Sequence, residues 1–324
     1  MEKVKWGVLG TANIAKGCTI PGMKLSKNAS LYAIAGRNLQ KAESFKEEFG
    51  FEKAYGSYDE LLDDKEVMAV YIPLPNHLHA KWVIEALKKK KHVLCEKPLA
   101  LNEEEAKLMF DTAKENGVNL MEAYAYLHTP YIESLKSDVK SGIIGDIDYI
   151  ETAFITQGYK EDIRLYKEMG GGAMYDLGCY CTTMILSLID SKPSDVKAVA
   201  EFSDKGVDFN TSAIIKFENG VRASFNVGMI LGENTNSRFD RLYIHGTKGF
   251  IKSDVEYNQE GALTYTIYKD SKAIKRKVKN PQNYSLEVSQ LGRCILDGEK
   301  PFISADFSLK NTNLMDQILK EIDY

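Results

Sequence analysis

Gly7-Val8-Leu9-Gly10-Thr11-Ala12-Asn13-Ile14-Ala15 is the stretch that decides the fold. The apolar run Val4–Leu9 ends in a glycine turn and passes into a helical pattern, as a strand does where it feeds a phosphate-binding helix. Gly10 takes the tight turn, Ala12 stands in place of the second glycine, and Ala15 takes the third position, where alanine meets the need for close helix–sheet packing. Thr11, Ala12, Asn13 and Ile14 supply the expected phosphate contacts, chiefly through backbone N–H groups at the helix start. Alone this turn is a weak signal, because small residues at a strand–helix junction also serve packing. About eighty-five residues later comes His92-Val93-Leu94-Cys95-Glu96-Lys97-Pro98-Leu99. It puts a cation at the carboxyl edge of another parallel strand, where ligands bind in open α/β sheets. In this order the two stretches imply a dinucleotide enzyme.

The pattern around them agrees. Val4–Leu9, Leu31–Ala35, Val67–Ile72, His92–Cys95 and Val118–Met121 read as strands covered on both faces. Helices alternate with them: Asn38 caps Leu39–Phe49 and Gly50 stops it, Asn76 opens a helix through Leu87, and Asn102 with Glu105 forms a capping box before a helix ending at Gly117. The run Lys88–Lys91 suits a helix carboxyl end better than a binding patch. Such alternation predicts a doubly wound parallel sheet, a Rossmann domain over residues 1–122. Residues 123–324 read as an α+β domain for substrate binding and oligomerisation. It opens with a helix over Tyr131–Lys140 and a glycine-rich helix start near Gly170–Gly172. Strands follow at Val196–Phe202, Ser212–Phe217, Val221–Val227, Arg241–His245, Phe250–Ser253 and Leu263–Tyr268, in a large, mostly antiparallel sheet. Asn219-Gly220 marks a hairpin. The closing helices, Ser285–Leu296 and Ser308–Ile322, are free to pack back on the first domain.

Composition sets the class. The chain has 324 residues, 44% hydrophobic and 27% charged, with a net charge of −4. That length allows two cores, and the charge gives no reason to expect nucleic acid or an acidic membrane surface. No apolar run approaches the roughly 20 residues of a bilayer span. Five scattered cysteines, with no metal-ligand spacing beyond one C-x-C and no secretory signal, read as reduced thiols of a cytoplasmic protein.

Several side chains bear on chemistry. The second strand ends Ile34-Ala35-Gly36-Arg37-Asn38, with no acid to meet a ribose 2′-hydroxyl. Gly36 leaves room and Arg37 offers a guanidinium that forks to a phosphate, which favours NADP(H) over NAD(H). The bland alternative is a surface arginine near a helix start. Pro73, Leu74, Asn76 and His79 follow another strand at the ligand edge of the sheet; Asn76 also makes sense as an N-cap, and His79 as a structural residue. Lys97 is the strongest candidate: held before Pro98, it can polarise a substrate oxygen and stabilise an alkoxide. A structural salt bridge is the alternative for it. Glu96 orients the site or binds the cofactor ribose. In Gly170-Gly171-Gly172-Ala173-Met174-Tyr175-Asp176-Leu177-Gly178-Cys179-Tyr180, Asp176 and Tyr180 stand four apart, on one face of a helix. A carboxylate and a phenol so placed can hold a diol and exchange its proton, once a nearby cation lowers the phenol from its reference value near 10.

These pieces resemble the glucose–fructose oxidoreductase/inositol 2-dehydrogenase/MocA family. The resemblance rests on WGVLGTANIA at Trp6–Ala15, AGRN at Ala35–Asn38, PLPNHLH at Pro73–His79, CEKPLA at Cys95–Ala100, MEAYAYLHTP at Met121–Pro130, GGGAMYDLGCY at Gly170–Tyr180 and IHGTKGFI at Ile244–Ile251. It covers nearly the whole chain. It implies catalytic roles for Lys97, Asp176 and Tyr180, the tyrosine placing the chain beside dimeric dihydrodiol dehydrogenase and NADP-dependent xylose dehydrogenase. Family members near this branch carry Trp-Arg ahead of the glycines. Here Ile163-Arg164 stands there, so the resemblance carries over Arg164, near the nicotinamide, but not the tryptophan. A dimer or tetramer through the large sheet is also implied.

The reading is an NADP(H)-dependent oxidoreductase that moves hydride between nicotinamide and a secondary alcohol or carbonyl of a sugar, polyol or cyclic diol. A non-catalytic NADP-binding regulator, and an enzyme using bound nucleotide transiently for elimination or glycoside cleavage, are the alternatives. No metal is expected.

Overall fold

The computed structural model describes residues 2–159, 161–231, 238–254 and 257–324. They form two compact units: the chain up to His128 with Gln282–Leu309, and Thr129–Pro281 with Lys310–Tyr324. The last helices are thus shared out, Gln282–Leu309 belonging to the first unit.

In the first unit the chain runs β1 (Val4–Leu9), α1 (Ile20–Leu25), β2 (Ala29–Ala35), α2 (Leu39–Phe49), β3 (Lys53–Tyr55), α3 (Tyr58–Asp63), β4 (Ala69–Ile72), α4 (His79–Lys88), β5 (His92–Glu96), α5 (Glu103–Asn116) and β6 (Leu120–Ala123). The sheet order is β3-β2-β1-β4-β5-β6, all parallel. Order reverses beside β1, and the crevice at that switch point is where such sheets take ligands. Apart from the short edge strand β3, which the sequence pattern did not mark, the strands are buried on both faces, which is why they read as unbroken apolar runs. Helix ends follow local chemistry. Asn38 Oδ1 accepts from the Lys41 N–H at 2.9 Å, and Gly50 closes α2 at φ 81°. Asn102 accepts from the Glu105 N–H, but Glu105 reaches back to the Leu101 N–H, one residue short of a full capping box. Asn76 does not start α4. A 3₁₀ turn, Asn76–Leu78, comes first, and no side chain caps either element. The lysine run ends α4 as expected: Lys90 Nζ donates to Asn116 O, and Lys91 Nζ reaches the carbonyls of Asp64 and Val67 at 2.7 and 2.8 Å.

The second unit holds α6 (Pro130–Lys140), β7 (Ile147–Tyr159), α7 (Cys179–Leu188), β8 (Pro193–Phe202), β9 (Asp208–Phe217), β10 (Arg222–Leu231), β11 (Arg238–Gly246), β12 (Gly249–Ser253), β13 (Gly261–Lys269) and β14 (Lys272–Asn280). These eight strands make one sheet, β14-β13-β12-β11-β7-β10-β9-β8, antiparallel except for the β7–β10 pair. The expected strands are all present, most of them extended at one or both ends, though β10 begins at Arg222 rather than Val221. Two were passed over: β7, the central strand, and β14, whose Lys272-Ala273-Ile274-Lys275-Arg276-Lys277-Val278 sets Ile274 and Val278 among cations. One face is packed by Ala213, Ile215, Phe217, Ala223, Phe225, Leu242, Ile244 and Ile251, and the period-2 alternation follows from that. Helix α8 (Asn283–Leu296) lies in the first unit, and α9 (Ala305–Glu321) continues from the first into the second.

Candidate active site

The nucleotide half is built at the end of β1. Gly10 adopts φ 118°, closed to other residues without strain, and a Cβ there would meet Leu74 Cδ2 at 3.1 Å. Its N–H donates to Ala35 O at 2.8 Å, tying the turn to the end of β2. A π-helical stretch, Ala15–Thr19, leads from this turn into α1, in place of a regular helix from Asn13. A cleft of about 270 Å³ opens here, lined by Gly10, Thr11, Ala12, Gly36, Arg37, Asn38, Lys41, Tyr58, Pro73, Leu74 and Pro75. Two cations and no carboxylate line it, and the small turn residues leave a cradle that side chains would fill. That fits a phosphate-bearing dinucleotide. Of the residues expected at the cofactor, Gly10, Thr11, Ala12, Gly36, Arg37, Pro73 and Leu74 line this cleft together; Lys41 was not anticipated, although a lysine in the first turn of α2 was its signal. Asn13 and Ile14 do not line this cleft.

At the other strands' ends, the expected residues separate by role. His79 is fully buried, with Nδ1 2.9 Å from Pro98 O and Nε2 2.8 Å from Leu74 O. Burial holds its pKa below the ordinary histidine value. Both ring nitrogens face backbone carbonyls, and the neutral ring donates to one of them, so His79 sits between the Pro73–Leu74 turn and the Lys97–Pro98 turn rather than facing a ligand. Glu96 accepts a very short hydrogen bond from the Tyr71 hydroxyl, which in turn accepts from Thr19 Oγ1 at 2.9 Å. Burial and the Glu96 charge push Tyr71 well above its usual value, so it stays a donor. Lys97 follows β5 half-buried, and the Lys97–Pro98 peptide is cis.

In the second unit the glycine run explains the next group. Gly171 packs against the carbonyl of Arg164 and Gly172, at φ 105°, against the Asp208 carboxylate, each too close for a Cβ. The Gly172 N–H donates to Arg164 O at 2.8 Å, and Asp208 Oδ2 accepts from the Met174 N–H at 2.9 Å. This closeness sets Arg164 against Asp176, with Arg164 Nε 2.9 Å from Asp176 Oδ2 and Arg164 Nη1 3.0 Å from Asp162 Oδ2. The arginine expected at the cofactor is therefore committed to the carboxylate expected at the substrate. Met174–Gly178 is a π-helical turn leading into α7, so Asp176 and Tyr180 do not stand on one regular α-helical face.

Tyr180 sits in an aromatic box. Its ring centroid is 5.4 Å from Phe154 and 5.2 Å from Tyr257, and Phe154 and Tyr257 stack at 5.0 Å. Arg238 lies over Phe154 at 4.2 Å and pairs with Asp240, whose Oδ2 also accepts the Tyr257 N–H at 3.0 Å. Asn258 donates from Nδ2 to Tyr180 Oη at 3.1 Å. The sequence reading missed Asn258, Phe154 and Tyr257; they converge on Tyr180 from distant strands and loops, and no local pattern marks them. It also passed over Glu122, although a glutamate inside a buried parallel strand is itself a signal. No group of metal-ligating side chains occurs among the described residues.

A parallel sheet with a cationic, carboxylate-free cleft at its switch point, joined in the chain to a second unit whose helical segment Met174–Leu188 carries a carboxylate and a tyrosine, defines a two-unit nicotinamide oxidoreductase. Residues 4–124 match the oxidoreductase family with an NAD-binding Rossmann fold, and residues 132–252 match the GFO/IDH/MocA C-terminal domain. The chain belongs to the GFO/IDH/MocA oxidoreductase family. It is 33% identical to an uncharacterized oxidoreductase, ORF334, of Rhizobium meliloti, over 100% of this chain and 98% of the relative. To D-xylose 1-dehydrogenase (NADP(+)) 2 of Haloferax volcanii it is 30% identical, over 98% and 97%. Among solved structures, a 3-ketoreductase from Actinomadura kijaniata in complex with NADP and TDP-benzene superposes with a TM-score of 0.92 at 28% identity, covering 99% of this chain and 98% of that one.

Proposed function

We propose that the protein is an NADP(H)-dependent oxidoreductase acting on a secondary alcohol or carbonyl of a sugar-like substrate. The observation that carries this is the cleft at Gly10, with Arg37 and Lys41 in its wall and no carboxylate to repel a 2′-phosphate. The NADP-dependent xylose dehydrogenase and the NADP-bound ketoreductase among its relatives support the cofactor and the substrate class. NADP(H), when bound, accepts or supplies hydride at the nicotinamide.

The chain's own groups handle the proton and the charge. Tyr180 Oη takes or returns the hydroxyl proton, helped by the Asn258 N–H on the same oxygen. Phe154 and Tyr257 limit water around that phenol. The Lys97 ammonium stabilises the alkoxide as it forms. Asp176, fixed by Arg164, orients the substrate by accepting from a hydroxyl.

Self-association is part of the reading. The outward face of the eight-stranded sheet exposes Val199, Ile214, Ile230 and Phe239, a surface suited to a second copy in a dimer or tetramer. No helix among the described residues is long and apolar enough to cross a membrane, and the five free cysteines suit a reducing cytoplasm.

The test is nicotinamide absorbance with NADP⁺ and, separately, NAD⁺ over aldoses, polyols and cyclic diols, with Lys97→Ala beside the unaltered protein. Turnover with NADP⁺ that falls roughly 10²–10³-fold in Lys97→Ala is expected. A fully active Lys97→Ala protein would remove the lysine from the mechanism, and no turnover on any substrate would remove the enzyme reading.

A further inference from the structure

Glu122 is the buried titratable group that the mechanism above leaves unused. It lies in β6 opposite Cys95 of β5 and is 1% exposed. Its two oxygens are placed on either side of a junction. Oε1 accepts from the Leu99 N–H at 2.8 Å, and Oε2 accepts from Ser308 Oγ at 2.6 Å. Leu99 is two residues past Lys97. Pro98 between them has no N–H to give, and its carbonyl faces His79 Nδ1 at 2.9 Å. Lys97 is therefore followed by two consecutive backbone groups, each held by a buried titratable side chain.

We propose that Glu122 is the positioning residue of Lys97, fixing the Lys97–Leu99 turn through the Leu99 N–H and setting the field felt by the ammonium. The proposal rests on the role given to Lys97 above. Burial of a carboxylate at this depth requires compensation, and three hydrogen bonds (from Leu99, Ser308 and Tyr124) and the Lys97 charge supply it. Burial still wins, and the carboxyl is pushed up to about 7. Its neighbours by element are Cys95 and Lys97 from β5 and its turn, Tyr124 just past β6, and Ser308 from α9, while His79 of α4 meets the same turn at Pro98 O. Cys95 is itself raised by burial and stays a thiol, and His79 is held low and neutral. Lys97 is the cation that acts on Glu122. Above neutrality the carboxylate strengthens its bond to the Leu99 N–H and so its hold on the turn that carries Lys97; below neutrality that hold weakens. Turnover limited by Lys97 then rises with pH through a limb near 7.

The deciding measurement is carboxyl ¹³C NMR of glutamate-labelled full-length protein, the Glu122 signal being the one lost in Glu122→Gln. We expect a midpoint near 7. It should rise by about one unit in Lys97→Ala, which removes the favourable cation, and rise again in Ser308→Ala, which removes a donor while keeping the carboxylate. A midpoint in the ordinary carboxylate range, or one that ignores Lys97→Ala, overturns the assignment. In turnover with NADP⁺ and the best substrate of the panel, Glu122→Gln keeps an acceptor for the Leu99 N–H and should flatten the limb near 7. A retained limb also overturns it. Absence of turnover across the whole panel would sink the proposed function, not this assignment, and the NMR midpoints would then decide Glu122 alone.

Discussion

Replacing Arg37 by alanine should separate the two nicotinamide cofactors. Arg37 and Lys41 share the wall of the cleft at Gly10, and no acid opposes them there. The Arg37 charge reaches into this cleft, since it acts on the buried Tyr58 that also lines it. Arg37 itself is exposed, so its field is partly screened by water. A charge-assisted hydrogen bond contributes about 1.5–3 kcal/mol, and exposure puts this one toward the lower end, about 1.5–2.5 kcal/mol. That is roughly 10- to 70-fold in the NADP dissociation constant. NAD lacks the 2′-phosphate and should change by less than about threefold. Titration by nicotinamide fluorescence or calorimetry at 50 and 500 mM salt reads both numbers, and the gap between the cofactors should narrow at high salt. Because Lys41 can take over part of the phosphate, the Arg37→Ala/Lys41→Ala double variant completes the series. Equal losses for NADP and NAD, or no loss in the double variant, would refute the reasoning and return both residues to the surface.

Tyr180→Phe keeps the aromatic box with Phe154 and Tyr257 but removes the oxygen that Asn258 meets at 3.1 Å. Turnover should drop about 10²–10⁴-fold while stability, read by urea denaturation, changes by about 1 kcal/mol; a small kinetic effect would take the proton from this phenol. His128 is half-buried with its Nε2 shielded from water, and desolvation of the ring with the Arg293 charge lowers its pKa to about 3. The unfolded chain then binds the extra proton between its own value near 6.5 and 3, so stability is lost as pH falls through that window, by about 4–5 kcal/mol in all. Glu122, raised to about 7, has the opposite slope between roughly 4.5 and 7, so the loss should steepen below pH 4.5. His128→Leu should flatten the fall between pH 4.5 and 3 in urea denaturation, and an unchanged slope would refute the account. Ile214→Arg places a charge at a side chain 64% exposed on the outward sheet face. Light scattering should show a smaller assembly than the unaltered protein, and unchanged mass would move the self-association surface elsewhere.

The parallel sheet was legible because its strands are covered on both faces, and Val4–Leu9 or His92–Cys95 show this as unbroken apolar runs. Half-covered strands alternate, and Ser212–Phe217 was readable on that pattern. β14 was not: it sets Ile274, Arg276 and Val278 against lysines, so a charged residue stands at the middle of its inward-facing row and breaks the apolar alternation. Arg276 instead ends on Asp138, at 2.9 Å. Helix caps such as Asn38 were legible because a cap is settled within three residues. Asn76 failed on the same reasoning, since Pro75 ahead of it starts a 3₁₀ turn that delays α4 to His79.

The site divides along the same line. Gly10, Gly36 and Arg37 act through backbone shape and one strand end, so their neighbours in sequence are also their neighbours in space. His79 and Glu122 act across strands. Each offers a ligand-like side chain, yet each is used on backbone: His79 on one of the carbonyls of Leu74 and Pro98 that it faces, Glu122 on the N–H of Leu99. The reason lies in where Lys97 stands. Its turn leaves a buried strand next to a proline, so the Pro98 carbonyl and the Leu99 N–H have no ladder partners. Left unpaired, each would cost about 1–3 kcal/mol. Polar side chains buried beside them supply the bonds that the sheet cannot. A buried His or Glu near a motif lysine is thus first a candidate for holding the backbone that carries it, and only then for touching the ligand.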